Sequence, residues 1–297
     1  MRFPIRDYDL TATLESGQAF RWDRNGSGWE SVLQGRWVRL EAHGEELKAE
    51  VATGVTDWKW LEDYLSLNVD LAAVIHTFPN DDPMQCAVKA CRGLRLLMQD
   101  PWECLASFIL SSTKQIVQIR QCVTLLCERF GLPAVVPPGY SRRFSFPEFN
   151  TLAEASESEL RACKLGFRAR YLSAAAKALR DGSIHLQELQ NLTTQEARNR
   201  LIQLPGVGPK IANCVLLFAY GRQDAFPIDV WILRALKDLY FPRKRPSLQR
   251  LIQFTETYFG PNAGYAQQYL FHYIRTQTKR QSPHKPKSVQ ERIQQDA

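Results

Sequence analysis

Leu204-Pro-Gly-Val-Gly-Pro-Lys210 is followed sixteen residues later by Phe226-Pro-Ile-Asp-Val230. In the first stretch Gly206 and Gly208 let the backbone turn tightly and approach another molecule closely. Pro209 suits the first turn of a helix. Leu201, Ile202 and Leu204 before the turn, and Ile211, Ala212 and Cys214 after it, give one helix on either side. Lys210 therefore stands at a helix start, where a cation opposes the helix dipole by roughly 0.3–1 kcal/mol. A residue that breaks a local rule without evident compensation is a functional candidate. In the second stretch Asp229 precedes Val230, Ile232, Leu233 and Leu236, the apolar spacing of a further helix, which makes it a candidate N-cap.

Working outward, residues 8–52 read as short strands punctuated by Gly26, Gly28, Gly35 and Gly44, with Ala19–Trp22 and Trp37–Glu41 as strand segments. From Thr56 the pattern is helical. Asp100 and Pro101 form a helix start, and apolar residues repeat at three and four from Leu105 to Leu126. Residues 133–149 carry four prolines and read as a loop ordered by Tyr140, Phe144, Phe146 and Phe149. Helices follow over 151–180, 193–204, 209–220, 229–239, 247–259 and 262–275. The fold class is α+β: an antiparallel sheet domain over 1–98, an all-helical domain over 99–275, and a basic polar tail over 276–297. The tail is either a solvated terminus or a source of nonspecific phosphate attraction.

The 297 residues, 44% hydrophobic and 23% charged, are those of an ordinary soluble protein. The formal charge of +7 favours an anionic partner, nucleic acid or an acidic protein. The charged N-terminus does not read as a secretory signal, and no apolar run is long enough to span a membrane. Seven cysteines, odd in number and set in helical apolar patterns, read as free thiols in an intracellular, reducing setting. No Cys-x2-Cys pair or His-Glu-x-x-His occurs, and no cysteine follows Cys214, so no metal and no iron–sulfur cluster is expected.

The hairpin brings backbone N–H groups near 206–210 to one spot, where Gly206, Val207, Gly208 and Lys210 could hold a DNA phosphate without reading a base. A plain turn between packed helices is the alternative. On the second hairpin helix Lys210, Asn213, Cys214 and Leu217 share a stripe, so Cys214 either lines a pocket or belongs to the core. A lysine amine can attack C1′ of a deoxyribose and form a Schiff base if its lone pair is free. Burial and a helix start disfavour the ammonium; a nearby carboxylate favours it. Asp229, held by two backbone N–H groups, would stay ionised and stabilise a developing sugar cation. Taken singly, Asp229 is an ordinary cap and Lys210 a solvated or phosphate-contacting lysine.

The chain resembles the 8-oxoguanine DNA glycosylase family of the helix–hairpin–helix glycosylases over nearly all of residues 10–275. The resemblance lies in Ser16-Gly-Gln-Ala-Phe-Arg-Trp22, Gln99-Asp-Pro-Trp-Glu-Cys-Leu105, Gly166-Phe-Arg-Ala-Arg-Tyr171, the hairpin, Pro-Ile-Asp-Val and Gly260-Pro-Asn-Ala-Gly-Tyr-Ala-Gln267. It implies a cofactor-free, monomeric DNA N-glycosylase and AP lyase acting on damaged duplex DNA, in the nucleus of a eukaryote or otherwise in the nucleoid. It implies Lys210 as nucleophile, Asp229 as catalytic carboxylate, and Gly17 as the carbonyl that senses the N7 hydrogen of 8-oxoguanine. Gln267 would bond the Watson–Crick edge of the flipped base, with Phe271 stacking on one face and Cys214 walling the other. Gln267 and Phe271 lie one helical turn apart, so they can share a pocket.

Around the base left behind, the resemblance implies Arg168 as a reader of cytosine and Phe167 as a wedge. Here the sequence departs from the family. Thr113 stands where an asparagine is expected, followed by Lys114 and Gln115, and Gln118 replaces a second arginine. The expected consequence is a relaxed preference for the opposite base. Trp231 and Ile274 replace a histidine and its acidic partner. The competing readings are a glycosylase for alkylated or formamidopyrimidine bases and a non-catalytic damage-binding protein.

Overall fold

The computed structural model describes residues 1–281, with side chains to residue 277. Five strands, β1 (Arg2–Pro4), β2 (Asp23–Asn25), β3 (Gly28–Leu33), β4 (Arg36–His43) and β5 (Glu46–Val51), form one antiparallel sheet in the order β1-β5-β4-β3-β2. At the β3–β4 turn Gln34 and Gly35 both take positive φ, 49° and 77°, the twist a two-residue hairpin needs. Trp29, Val38, Leu40 and Leu47 bury one face of this sheet against Leu10, Leu14, Trp22, Leu61 and Leu65.

Two details of the N-terminal half differ from the sequence expectation. Residues 10–15, read as part of a strand region, form the helix Leu10–Glu15, started by Asp9, whose carboxylate accepts the Ala12 N–H at 2.8 Å. Leu10 and Leu14, one turn apart, both face the sheet. Ala19–Trp22 lies outside the sheet: Phe20 enters the helical core and Trp22 the sheet core, so this stretch is a seam between the two. Leu71, Phe78, Met84 and Ala87 also join the helical core.

The helical body is centred on the helix Pro101–Leu110, capped by Asp100 accepting the Glu103 N–H at 2.9 Å. Phe108 stacks on Phe218 of the helix Pro209–Tyr220, centroids 5.6 Å apart at 14°, which sets these two helices side by side. The loop over 133–149 is held by aromatics as expected: Tyr140 packs on Trp37, and Phe146 and Phe149 pack on Trp102. It also contains a short two-stranded pairing, Pro133–Ala134 with Arg143–Phe144. The expected helical stretch 151–180 is divided into Phe149–Glu154, Glu157–Ala162 and Arg168–Arg180. The helix Ala263–Gln281 continues past 276, where the tail was expected to begin; residues 282–297 lie outside the described residues. Among the described residues no helix is long and apolar enough to cross a membrane.

Candidate active site

The hairpin forms as the sequence predicts, from the helix Thr194–Ile202, the turn and the helix Pro209–Tyr220. Gly206 has φ +81°, and a Cβ there would lie 2.5 Å from Cγ of Tyr171. Gly208 has extended backbone and open space where a Cβ would stand. Val207 is buried and its N–H bonds Leu204 O at 3.1 Å, anchoring the turn. Among the described residues no hydrogen bond uses the N–H of Gly206 or Gly208.

Lys210, in the first turn after Gly208, reaches back to the helix Pro101–Leu110. Its Nζ donates to Ser111 Oγ at 3.0 Å and sits 5.1 Å from the centroid of Phe108. Ser111 in turn donates to Phe108 O at 2.7 Å. Asp229 caps the helix Val230–Ala235, its Oδ1 accepting from Trp231 N–H at 3.0 Å and Ile232 N–H at 2.9 Å. These two bonds were expected to keep the carboxylate ionised and aimed, and both form. Burial outweighs them, and the carboxyl is pushed above the usual aspartate range; the Ile232 N–H, the Lys210 charge and the Trp231 N–H oppose the shift only in part.

Lys210 and Asp229 open onto the same cavity, of about 430 Å³, between the two cores. Gly17, Cys214, Gln267 and Phe271 line it as well. Gly17 has φ +86°, a conformation that favours glycine, and a Cβ there would meet the movable ends of the Ile116 and Arg275 side chains at 2.6 and 3.0 Å. Gln267 donates from Nε2 to Pro227 O at 3.0 Å, while its buried Oε1 has no partner among the described residues. Burial pushes the Cys214 thiol up to about 11, so it stays protonated and serves as a wall.

Sequence reading missed five polar side chains that line this cavity, Glu15, Ser111, Arg120, Gln268 and Arg275. Ser111 meets Lys210 across 99 residues. Arg275 and Gln268 reach Ser16 across 259 and 252 residues. The only sequence signal for Arg275 and Gln268 is their helical spacing from Gln267 and Phe271. Trp231 also lines the cavity.

The residues expected around the opposite base are engaged with one another. Arg168 is buried; its Nε donates to Ser112 O at 2.7 Å, and Nη2 reaches Ser112 O and Thr113 Oγ1. Gln118 Oε1 accepts the Gln115 N–H at 3.0 Å as a helix cap. Lys114 Nζ is on Lys164 O at 3.2 Å. Phe167 is 45% exposed and free to meet another molecule, with the Arg168 guanidinium 4.3 Å from its centroid.

Residues 1–105 match the 8-oxoguanine DNA glycosylase N-terminal domain, and residues 106–259 match the HhH-GPD superfamily of base excision DNA repair proteins. A probable N-glycosylase/DNA lyase of Methanothermobacter thermautotrophicus is 31% identical, over 93% of this chain and 96% of its own length. The chain belongs to the 8-oxoguanine DNA glycosylase family. Two solved members share the fold. MBOgg1, in complex with a low-affinity DNA ligand, is 35% identical with TM-score 0.88, covering 93% of this chain and 96% of its own. The Clostridium acetobutylicum 8-oxoguanine glycosylase/lyase, bound to double-stranded DNA with cytosine opposite 8-oxoguanine, is 28% identical with TM-score 0.86, covering 94% and 98%.

Proposed function

We propose that this chain is a bifunctional DNA glycosylase and AP lyase that removes 8-oxoguanine from duplex DNA, acting as a monomer and without a cofactor. The observation that carries this reading is the single cavity shared by an amine and a carboxylate on different helices. Lys210 Nζ attacks C1′, and the C1′–N9 bond breaks with its electron pair leaving on the base. Asp229 stabilises the positive charge developing on the sugar through Oδ2, which bonds nothing in the protein among the described residues, and takes a proton from the amine. The C1′–O4′ bond then breaks, its electron pair going to O4′, which takes the proton held by Asp229, and the opened sugar is left with an iminium between Lys210 and C1′. Loss of a C2′ proton then expels the 3′ phosphate. Gln267 Oε1, buried and unpartnered, accepts from the donors on the Watson–Crick edge of the flipped base. The Gly17 carbonyl accepts the N7 hydrogen that guanine lacks.

Borohydride reduces such an iminium to a stable bond. Incubation with an 8-oxoguanine duplex and borohydride is expected to leave a protein–DNA adduct that Lys210→Ala abolishes. A protein that binds the duplex without any adduct is a damage-binding module, and the enzymatic reading is then wrong.

Opposite-base selectivity is expected to be weak. Arg168 is committed to Ser112 and Thr113, and Gln118 to a helix cap. A good bidentate base contact contributes about 1–3 kcal/mol of discrimination, and neither residue offers a free one. Excision opposite cytosine should exceed that opposite adenine by less than about tenfold; a ratio in the hundreds contradicts the proposal. Thr113 has φ 56°, a left-handed conformation costly for a β-branched residue and tolerated by asparagine. Thr113→Asn is expected to stabilise the fold by about 1 kcal/mol, visible as a raised Tm.

A further inference from the structure

Gly17 has a recognition task that its own conformational freedom works against. A glycine rotates its flanking peptides at little cost. Gly17 lines the cavity; with its carbonyl read as the N7 acceptor, turning over the Gly17–Gln18 peptide would put the Gln18 N–H in that carbonyl's place. A carbonyl there favours a base with hydrogen on N7; an N–H favours guanine, whose N7 is an acceptor. Discrimination therefore depends on what fixes this peptide.

One side is fixed by Gln18, fully buried, whose Nε2 donates to Thr13 O at 2.9 Å and Arg95 O at 2.8 Å and whose Oε1 accepts the Leu97 N–H at 2.8 Å. Its own carbonyl accepts from Gln99 Nε2 at 2.8 Å. The other side is the Ser16 carbonyl. It accepts two side-chain donors from the helix Ala263–Gln281: Arg275 Nη1 at 3.0 Å and Gln268 Nε2 at 3.3 Å. Arg275 also lies over the ring of Phe271, 5.0 Å from its centroid, and its Nη1 is 3.0 Å from where a Gly17 Cβ would stand. Among the described residues no hydrogen bond uses the Gly17 carbonyl, which leaves it available to a ligand.

We propose that Arg275 and Gln268 are positioning residues for lesion recognition, clamping the Ser16 carbonyl so that the Gly17 carbonyl stays turned to the cavity. The proposal rests on the reading of Gly17 as acceptor of the N7 hydrogen. The clamp comes from the helix that also carries Gln267 and Phe271. One helix thus supports the Watson–Crick edge, the stacking face and, through Ser16, the N7 sensor.

The test uses Arg275→Met, Gln268→Met and Arg275→Lys in the full chain, each checked by thermal melting. Single-turnover removal of 8-oxoguanine and of guanine is measured from otherwise identical duplexes, together with cleavage at a preformed abasic site, which presents no base to Gly17. Each Met variant is expected to lower the 8-oxoguanine-to-guanine rate ratio by about tenfold, with a smaller fall in abasic-site cleavage. Arg275→Lys, which keeps a cationic donor, is expected to retain most of the ratio. An unchanged ratio in both folded Met variants overturns the clamp, as does an equal fall on all three substrates. Should a Met variant not fold, a ratio in Arg275→Lys no higher than in the other Met variant overturns it equally. Failure of the wild-type chain to remove 8-oxoguanine is a different result, which sinks the functional reading instead.

Discussion

Asp229→Asn is expected to lower 8-oxoguanine excision by roughly 10²–10³-fold while raising the melting temperature at neutral pH. Asparagine caps a helix about as well as aspartate, so the bonds to the Trp231 and Ile232 N–H groups survive. What disappears is a negative charge facing Lys210 across the cavity. The rise in stability follows from the carboxyl being pushed above the ordinary aspartate range, chiefly by burial. Between the unfolded and the folded pKa the native state binds more protons than the unfolded one. The carboxyl's contribution to stability is therefore fully present below the unfolded value and is lost as pH rises through the folded value. Above the folded value the ionised carboxylate is retained against its own desolvation. Activity runs the opposite way, because catalysis needs the ionised form. The acid limb of kcat/KM should fall at a higher pH than an exposed aspartate would give. Rate profiles and melts of both proteins between pH 4 and 8 check this; an Asn variant that is less stable than wild type at pH 7 contradicts it.

The same residue shows how far sequence reaches. That Asp229 would cap a helix was legible, because the apolar spacing of Ile232, Leu233 and Leu236 begins beside it. Its raised pKa was not, since it depends on how much protein closes over the cap. The hairpin was legible for the same local reason: its glycines, proline and flanking apolar residues are contiguous. Ser111, Gln268 and Arg275 are local to nothing they serve; only the packing of Phe108 on Phe218 and of the long helix beside Ser16 brings them into the site. Thr113 stands where the resemblance implied an asparagine, and its backbone is left-handed. A β-branched residue argues against positive φ, yet the turn holds it there with Arg168 bonded to its hydroxyl. Arg168 itself was expected at the DNA surface and is buried in this state, because Ser112 O, Leu165 O and Thr113 Oγ1 surround its guanidinium.

The two hairpin glycines should separate cleanly under substitution, because the fold needs one of them and leaves the other unexplained. At Gly206 an added Cβ meets Cβ, Cγ and Cδ2 of Tyr171 at 2.9, 2.5 and 2.7 Å, at the root of the ring where it cannot swing aside. The backbone there is left-handed as well. Conformational strain of roughly 1–2 kcal/mol adds to overpacking of about 1–3 kcal/mol. Gly206→Ala should therefore lose about 2–5 kcal/mol and lower Tm by roughly 5–15 °C. At Gly208 the backbone is one any residue adopts, and a Cβ meets nothing within 4 Å. Gly208→Ala should leave the fold intact, or stabilise it by about 0.4–1 kcal/mol through the unfolded chain. Its glycine is accounted for only by something outside the protein that comes close to the backbone. A phosphate held by the N–H groups of the turn fits that requirement, since a methyl group would stand between them. Gly208→Ala is accordingly expected to weaken binding to an undamaged duplex by about tenfold, the loss of one charge-assisted contact. Wild-type affinity in that variant would remove the phosphate from the hairpin, whatever becomes of the chemistry at Lys210.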